Sequence, residues 1–524
     1  MVGECPVTSM LFRTFCLSKY VELTIFCNDN KFAANNEDAR CEMTAELRPE
    51  VDDEAGQAQA LRQTLETLQH GFRAERYPSV ATRIDRLDRL WNALDRFSDQ
   101  LCEALNDDFG YRSSRQSYFA DVATTGKSIR LTKKGVRKWM KAERRKADMP
   151  FSLFGAKAAV HYQPLGVVGI ISPWNVPVNL TLTPLAGALG AGNRALVKPS
   201  EHTPSTSEVM VELIASAFSA DEVSTATGDA SMGQMFSALP FDHLVFTGGT
   251  SIAKHIMRAA SENLTPLTLE LGGKSPVLVG TGANLKSAAS RIVFGKVFNA
   301  GQVCLAPDYV LVPRDKRDEL VACIQDEIRR ALPAGAQSDD YVAVINTRQS
   351  HRIQGYIDEA REAGAPVLAE PAENSSVDRR IPITLIVDPD ESLRVSREEI
   401  FGPILVIRSY DSFGEAVDYV NDRPRPLALY YFGDSAAEQK QVLENTLSGG
   451  VTINDVIMHY TFDDLPFGGV GPSGMGVYHG FDGFRQFSNA RAVYRQTRVD
   501  LGRIIRPPYG RLFDRFSYYL MTRG

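Results

Sequence analysis

Between Lys157 and Arg194 the chain carries no Asp, Glu, Lys or Arg. A stretch that long without charge has to be buried, either in a bilayer or in the protein's own core. A spanning helix needs only about 20 apolar residues, so length alone does not choose. Punctuation does. Pro164, Pro173, Pro177 and Pro184 interrupt the run, as do Gly166, Gly169, Gly187, Gly190 and Gly192. That pattern describes a buried strand, a loop and a short helix rather than a span. The chain is therefore expected to have no transmembrane span and a large internal core.

The surrounding sequence supports this. Val167–Ile171, Ala195–Val197, Val223–Thr227 and His243–Phe246 read as short buried strands. Helical patterns over 178–190 and Ser207–Phe218, and a helix after Gly249, alternate with them. Strands and helices alternating at this spacing predict a doubly wound parallel sheet. The alternation resumes with a strand at Pro276–Val279, a helix at Leu285–Phe298, a strand at Tyr309–Val312 and a helix over 315–331. A second α/β unit follows. Upstream, Ile84, Leu87, Leu90, Trp91, Leu94, Leu101 and Leu105 predict one amphipathic helix over 80–105, stopped by Gly110.

Composition narrows the classes. Across 524 residues, 58 Lys+Arg face 64 Asp+Glu, a net charge of −6 that disfavours a dedicated nucleic-acid binder. Nine basic residues between Arg130 and Lys146 read as a solvated helix face. Of seven cysteines, Cys5, Cys16, Cys27 and Cys41 crowd a polar N-terminus that lacks a secretory pattern. Residues 1–45 are read as a flexible leader, and 28–60 show no sustained periodicity. No Cys/His cluster has metal-ligand spacing, so no metal is expected. A reducing, cytoplasmic location follows from the same cysteine usage.

Five short constellations bear chemistry-capable residues. Gly248 and Gly249, in Phe246–Thr250, sit between a strand and a helix, where a backbone can approach a pyrophosphate. Lys198 and Glu201 follow the second strand, Ala195–Val197, and suit ribose hydroxyls, or simply a solvated loop. Cys304, after Gly301-Gln302, is either a nucleophile in an open turn or a buried apolar residue. Glu270, at an apolar strand end before two glycines, suits a general base with a raised pKa, or a capping carboxylate. Asn175, between Pro173 and Pro177, suits an oxyanion donor, or a loop former.

Taken together, PWNVP, KPSE, FTGGT, ELGGKSP, GQVCLAPDYV, EEIFGPIL at 398–405 and LPFGGVGPSGMG at 465–476 resemble the NAD(P)-dependent aldehyde dehydrogenases. The resemblance runs from about residue 60 to about 510. NDVIMHYTFDDLPFGGVG and the terminal RPPYG look like the class 3 branch and its coniferyl-aldehyde dehydrogenase relatives.

The resemblance implies an α/β fold with a Rossmann-type NAD-binding domain over 46–157 and 165–269. It implies a catalytic domain over 270–485, bridging strands at 158–164 and 488–497 that serve oligomerisation, and a tail over 498–524. Cys304 would attack the aldehyde, Asn175 and the Cys304 N–H would hold the oxyanion, and Glu270 would activate water. Lys198 and Glu201 would meet the adenosine ribose, Gly248 and Gly249 the phosphates, and Glu399 the nicotinamide ribose beside Phe401. Trp174 would wall the channel, and Gly468 and Gly469 would be structural. Glu201 favours NAD, with NADP use open; Glu270 favours hydrolysis over acyl transfer. Ala253 departs from a family glycine.

The implied substrate is coniferyl aldehyde or a similar aromatic enal, with medium-chain aliphatic aldehydes as the alternative. A homodimer is implied. A non-catalytic structural role would predict a damaged Cys304, Glu270 or Asn175, and all three are intact. A cysteine hydrolase would leave KPSE and EEIFGPIL without a purpose. Leu512, Phe513, Phe516, Tyr519 and Leu520 give the tail an apolar face suited to a partner subunit or a membrane surface.

Overall fold

A computed structural model describes residues 51–149, 151–369, 379–496 and 500–523. The leader at 1–45 lies outside the described residues. Val51–Ala74 is a continuous helix, so the aperiodic reading of 28–60 fails over its last ten positions. Leu61, Leu65 and Leu68 bury one narrow seam of it, which is too sparse to show as a broad stripe.

The uncharged stretch becomes core. The strand Val167–Ile171 is wholly buried. The helix Pro177–Ala191 opens with Pro177 at its first turn, where the missing N–H costs nothing. All of its residues but Gly187 are buried, which explains why it is apolar all round. Arg83, itself fully buried, caps its C-terminus by donating to the carbonyls of Gly190 and Ala191 at 3.1 and 2.6 Å. Among the described residues no helix is long and apolar enough to cross a membrane.

A six-stranded sheet runs in the order Gly474–Met475, Leu267–Glu270, His243–Thr247, Val167–Ile171, Arg194–Lys198, Val223–Thr225. Only the first pairing is antiparallel. The chain leaves Val167–Ile171 toward one edge and returns on its other side. The carboxyl ends of these strands therefore form a switch point, where open α/β sheets bind ligands. Pro173–Val176, Gly248–Gly249 and Glu270 all lie there.

A seven-stranded sheet has the order Val367–Ala369, Thr384–Val387, Ile404–Tyr410, Tyr309–Pro313, Pro276–Val279, Ala428–Phe432, Gly450–Ile453. It is parallel except at its first pair. Residues 271–275 alone connect Glu270 to Pro276. This short link brings the carboxyl ends of the first sheet against the amino ends of the second, where Cys304 and Glu399 precede their strands. A third, antiparallel sheet joins Glu143–Arg145, Lys157–Pro164 and Ser488–Arg495.

Two more expectations need correction. The helix expected over 80–105 is two helices, Val80–Arg96 and Ser98–Phe109, broken where Phe97 adopts φ −94° and ψ 4°. Leu87, Leu90, Leu94, Leu101 and Leu105 are buried on both sides of the break. The apolar stripe passes straight through it, so the pattern does not reveal the bend. Gly110 ends the second helix in the left-handed region at φ 74°. The basic run 130–146 is likewise not one helix face, because Thr124–Trp139 ends first and Glu143–Arg145 is a strand.

Asn193 ties three parts together. Its Oδ1 accepts from the N–H groups of Leu165 and Gly166 at 2.7 and 3.0 Å, and its Nδ2 donates to the carbonyls of Ala188 and Phe487 at 3.1 and 2.9 Å. It is fully buried. Replacing it with Ala strands several buried backbone groups at once, so Asn193→Ala is expected to lower stability by about 3 kcal/mol, read as a fall in the urea midpoint.

Candidate active site

Cys304 is carried by a loop of unusual backbone. After the helix Leu285–Val297, Asn299, Ala300 and Gly301 take φ of 50°, 51° and 71°. Non-glycine residues occupy that region only when their surroundings over-determine them. Gln302 supplies the constraint. Its side chain donates to the carbonyls of Asn299 and Ala343 at 3.1 and 3.0 Å and accepts from the N–H of Ile345 at 3.0 Å. Its own carbonyl accepts from Asn299 Nδ2 and Asn175 Nδ2, both at 3.1 Å. Gly301 has no alternative, since a Cβ there would stand 2.4 Å from the Gly402 carbonyl.

Asn175 is thereby oriented. One amide N–H is held by Gln302, and its backbone carbonyl accepts from Asn299 Nδ2 at 2.9 Å and Arg112 Nη1 at 3.1 Å. An amide has two N–H bonds, and the second remains for the cavity that Asn175 lines. Arg112 belongs to a fully buried ion pair with Asp121 at 2.7 Å. Asp121 also accepts from the N–H groups of Val178 and Asn179 at the start of the buried helix.

Glu270 ends its strand and is almost completely buried, with no hydrogen bond to either carboxylate oxygen. Burial pushes its pKa up to about 8; the neighbouring Cys304 thiol draws it down and the Glu399 charge adds to the rise. The Cys304 thiol is raised well above its ordinary value, first by burial and then by the Glu270 charge. Burial also lifts Glu399 to about 7, against the lowering effect of the Gly273 N–H. Gly272 makes room for it, because a Cβ would fall 2.2 Å from Glu399 Oε1.

Cys304 and Asn175 form part of the wall between two cavities. One, of about 320 Å3, is bounded by Trp174, Gly248, Gly249, Glu270, Glu399 and Phe401. Trp174 meets Phe401 edge-on at 5.4 Å. Gly248 donates its N–H to the Glu270 carbonyl at 3.0 Å, and a Cβ on Gly249 would meet nothing within 4 Å. The protein itself does not fill that space. The other cavity, of about 340 Å3, is apolar and carries Phe119, Leu180, Phe294 and Phe298. Phe298 packs against Phe119 at 6.2 Å and Phe294 at 5.8 Å.

Lys198 and Glu201 lie outside the lining of both cavities. They pair with each other at 2.9 Å, at the carboxyl end of Arg194–Lys198. Gly468 and Gly469 sit against the backbone: Cβ atoms would stand 2.1 Å from the Gly476 carbonyl and 1.9 Å from that of Ser473.

Several contributors escaped the sequence reading. Arg352 braces the Glu399 and Phe401 carbonyls at 3.3 and 3.4 Å. Lys274 donates to the carbonyls of Val395 and Glu398, each at 2.9 Å, and to Asp308, which accepts the Ile400 N–H at 2.8 Å. Lys274 and Asp308 stood inside quoted motifs, which was the available signal. Arg112, Asp121, Arg352 and the phenylalanines carried none.

Comparison with known proteins agrees. The aldehyde dehydrogenase family pattern matches residues 45–493. A probable coniferyl aldehyde dehydrogenase of Caulobacter vibrioides is 50% identical over 440 residues, covering 83% of this chain and 91% of that one. A coniferyl aldehyde dehydrogenase of a Pseudomonas species is 46% identical, covering 86% and 94%. The substrate-bound structure of Staphylococcus aureus AldH superposes with a TM-score of 0.79 at 35% identity, covering 90% of this chain and 100% of that one. A Mycobacterium tuberculosis aldehyde dehydrogenase complexed with NAD+ gives 0.75 at 27% identity, covering 85% and 92%. The chain belongs to the aldehyde dehydrogenase family.

Burial and the Glu270 charge hold the Cys304 thiol well above its ordinary pKa. Alkylation of Cys304 by iodoacetamide is therefore expected to be slow at pH 7 and to rise through alkaline pH. Glu270→Gln removes a like charge and should move that profile to lower pH, as followed by mass spectrometry of the Cys304 peptide.

Proposed function

We propose that the protein oxidises coniferyl aldehyde, or a closely similar aromatic enal, to its acid with NAD+. The observation that carries this reading is the shared wall: Cys304 and Asn175 face a polar cavity on one side and a phenylalanine-lined cavity on the other. The relatives named for coniferyl aldehyde support the substrate.

Cys304 attacks the aldehyde carbon as a thiolate, forming the C–S bond. The carbonyl oxygen becomes an oxyanion between the free Asn175 N–H and the Cys304 backbone N–H. The chemistry that NAD+ supplies beside it is acceptance of a hydride, which leaves a thioester on Cys304. Gly248, Gly249 and Glu399 would hold the cofactor, with Trp174 and Phe401 as its walls, and the empty space over Gly249 fits a pyrophosphate. Lys198 and Glu201 would take the adenosine ribose. Glu270 then removes a proton from water as the C–S bond breaks, releasing acid and thiol.

The phenylalanine wall favours an aromatic body over an aliphatic chain by offering ring contacts. We also propose a cytoplasmic homodimer, in which the exposed edge strand Ser488–Arg495 pairs with a second copy, as measured by light scattering.

Cys304→Ala should abolish NADH formation across an aldehyde panel, and retention of full activity would refute the mechanism. Asn175→Ala should lower kcat about 10²–10³-fold. Because only ionised Glu270 accepts the proton, thioester hydrolysis should rise with pH through about 8. Glu270→Gln should give one burst of NADH and then stall, with the acyl group found on Cys304. A carboxylate at the ribose repels a 2′-phosphate, so Glu201→Gln should raise kcat/KM with NADP relative to NAD.

A further inference from the structure

The phenylalanine-lined cavity is not apolar throughout. Along with Cys304 and Tyr460, its ionisable lining residues are Lys127 and Asp463. Phe119, Phe294 and Lys127 are about half exposed, which places this part of the lining at the cavity's mouth. Asp463 is only 7% exposed. Its Oδ1 accepts from the Ser128 hydroxyl. Its Oδ2 lies 3.1 Å from Lys127 Nζ as an ion pair but accepts no hydrogen bond of ordinary geometry. Lys127 also donates to the Thr461 carbonyl.

A buried carboxylate oxygen without a hydrogen bond is costly, and an apolar cavity is an expensive place for it. Oδ2 is itself shielded from solvent, with the half-exposed Lys127 ammonium 3.1 Å away, so a hydroxyl reaches this acceptor as the flexible Lys127 side chain gives way at the mouth. The proposed mechanism puts the aldehyde carbon at Cys304, so the opposite end of a rod-shaped substrate points to this pair.

We propose that Asp463 and Lys127 are specificity-determining residues that recognise a ring hydroxyl of the substrate, distal to the aldehyde. The hydroxyl donates to Asp463 Oδ2 and accepts from Lys127 Nζ, while Phe119, Phe294 and Phe298 hold the ring. This rests on the aromatic-enal reading and sharpens it to phenolic enals. A site that hydrogen-bonds a substrate hydroxyl discriminates against an analogue lacking it, because the site's own polar groups are then left unpaired. Water reaching Lys127 softens the penalty here, so about tenfold discrimination is expected, or about 1.4 kcal/mol. The contact is the same in the bound substrate and the transition state, so it acts on KM.

The test compares 4-hydroxycinnamaldehyde, 4-methoxycinnamaldehyde and cinnamaldehyde with NAD+. The wild-type enzyme should favour the hydroxy compound about tenfold in kcat/KM, mostly through KM. Asp463→Ala should bring that ratio near one. Lys127→Met, at a half-exposed position, provides a second variant should the first fail to fold, and it should also reduce the ratio. Equal use of the three aldehydes by the wild type, or a ratio that survives both substitutions, would overturn the inference alone. Turnover of a medium-chain aliphatic aldehyde with none of the cinnamaldehydes would overturn the aromatic reading and the inference together.

Discussion

The site depends on one buried side chain that does no chemistry. Gln302 is fully buried and uses its amide and its carbonyl in five hydrogen bonds to four residues. It fixes the left-handed turn that sets Cys304 in the wall of the cavities, and through its carbonyl it aims the Asn175 amide. Cys304 and Asn175 are thus set by one anchor, so their relative position does not depend on two independently placed loops. In a dry interior such satisfied networks are worth more than their separate bonds, and preorganised donors need no rearrangement as charge develops.

The anchor works because of how the two sheets meet. Residues 271–275 are too few to let the sheets part, so Glu270 at the end of one and Cys304 before a strand of the other are kept together. Gly272 lets the Glu399 carboxylate approach this link, and Lys274 ties the same link to Asp308 and to the backbone before Glu399. The connection between the sheets and the wall of the polar cavity are the same piece of chain. Arg112 and Asp121 do the corresponding service on the other side, joining the Asn175 backbone to the start of the buried helix.

Much of this was legible in the sequence where chemistry or turn geometry demands particular residue types. The uncharged stretch, the glycines before helices, and the Cys, Glu and Asn in their short motifs all pointed to a doubly wound sheet and a thiol site. What stayed hidden was of two kinds. The bend at Phe97 is invisible because the apolar stripe is continuous across it. The aromatic wall is invisible because Phe119, Phe294 and Phe298 look like core residues and converge from separate segments. Arg112 and Asp121 are nine residues apart and resemble any surface pair, yet both are completely buried. Long-range burial, not local pattern, decides such cases.

The electrostatics of the resting site follow from the same burial. Cys304, Glu270 and Glu399 are three acids enclosed together, and desolvation is the first cause of the rise in each pKa. Near neutral pH the thiol and the Glu270 carboxyl are held largely protonated, which keeps the thiol unreactive. The arrangement is not inert, because the Glu399 charge helps raise Glu270, and the Glu270 and Glu399 charges help raise Cys304. A positive charge entering the polar cavity would lower all three together. The resting site thus holds Cys304 and Glu270 as neutral acids. Their ionisation is tied to whatever charge enters the cavity beside Cys304.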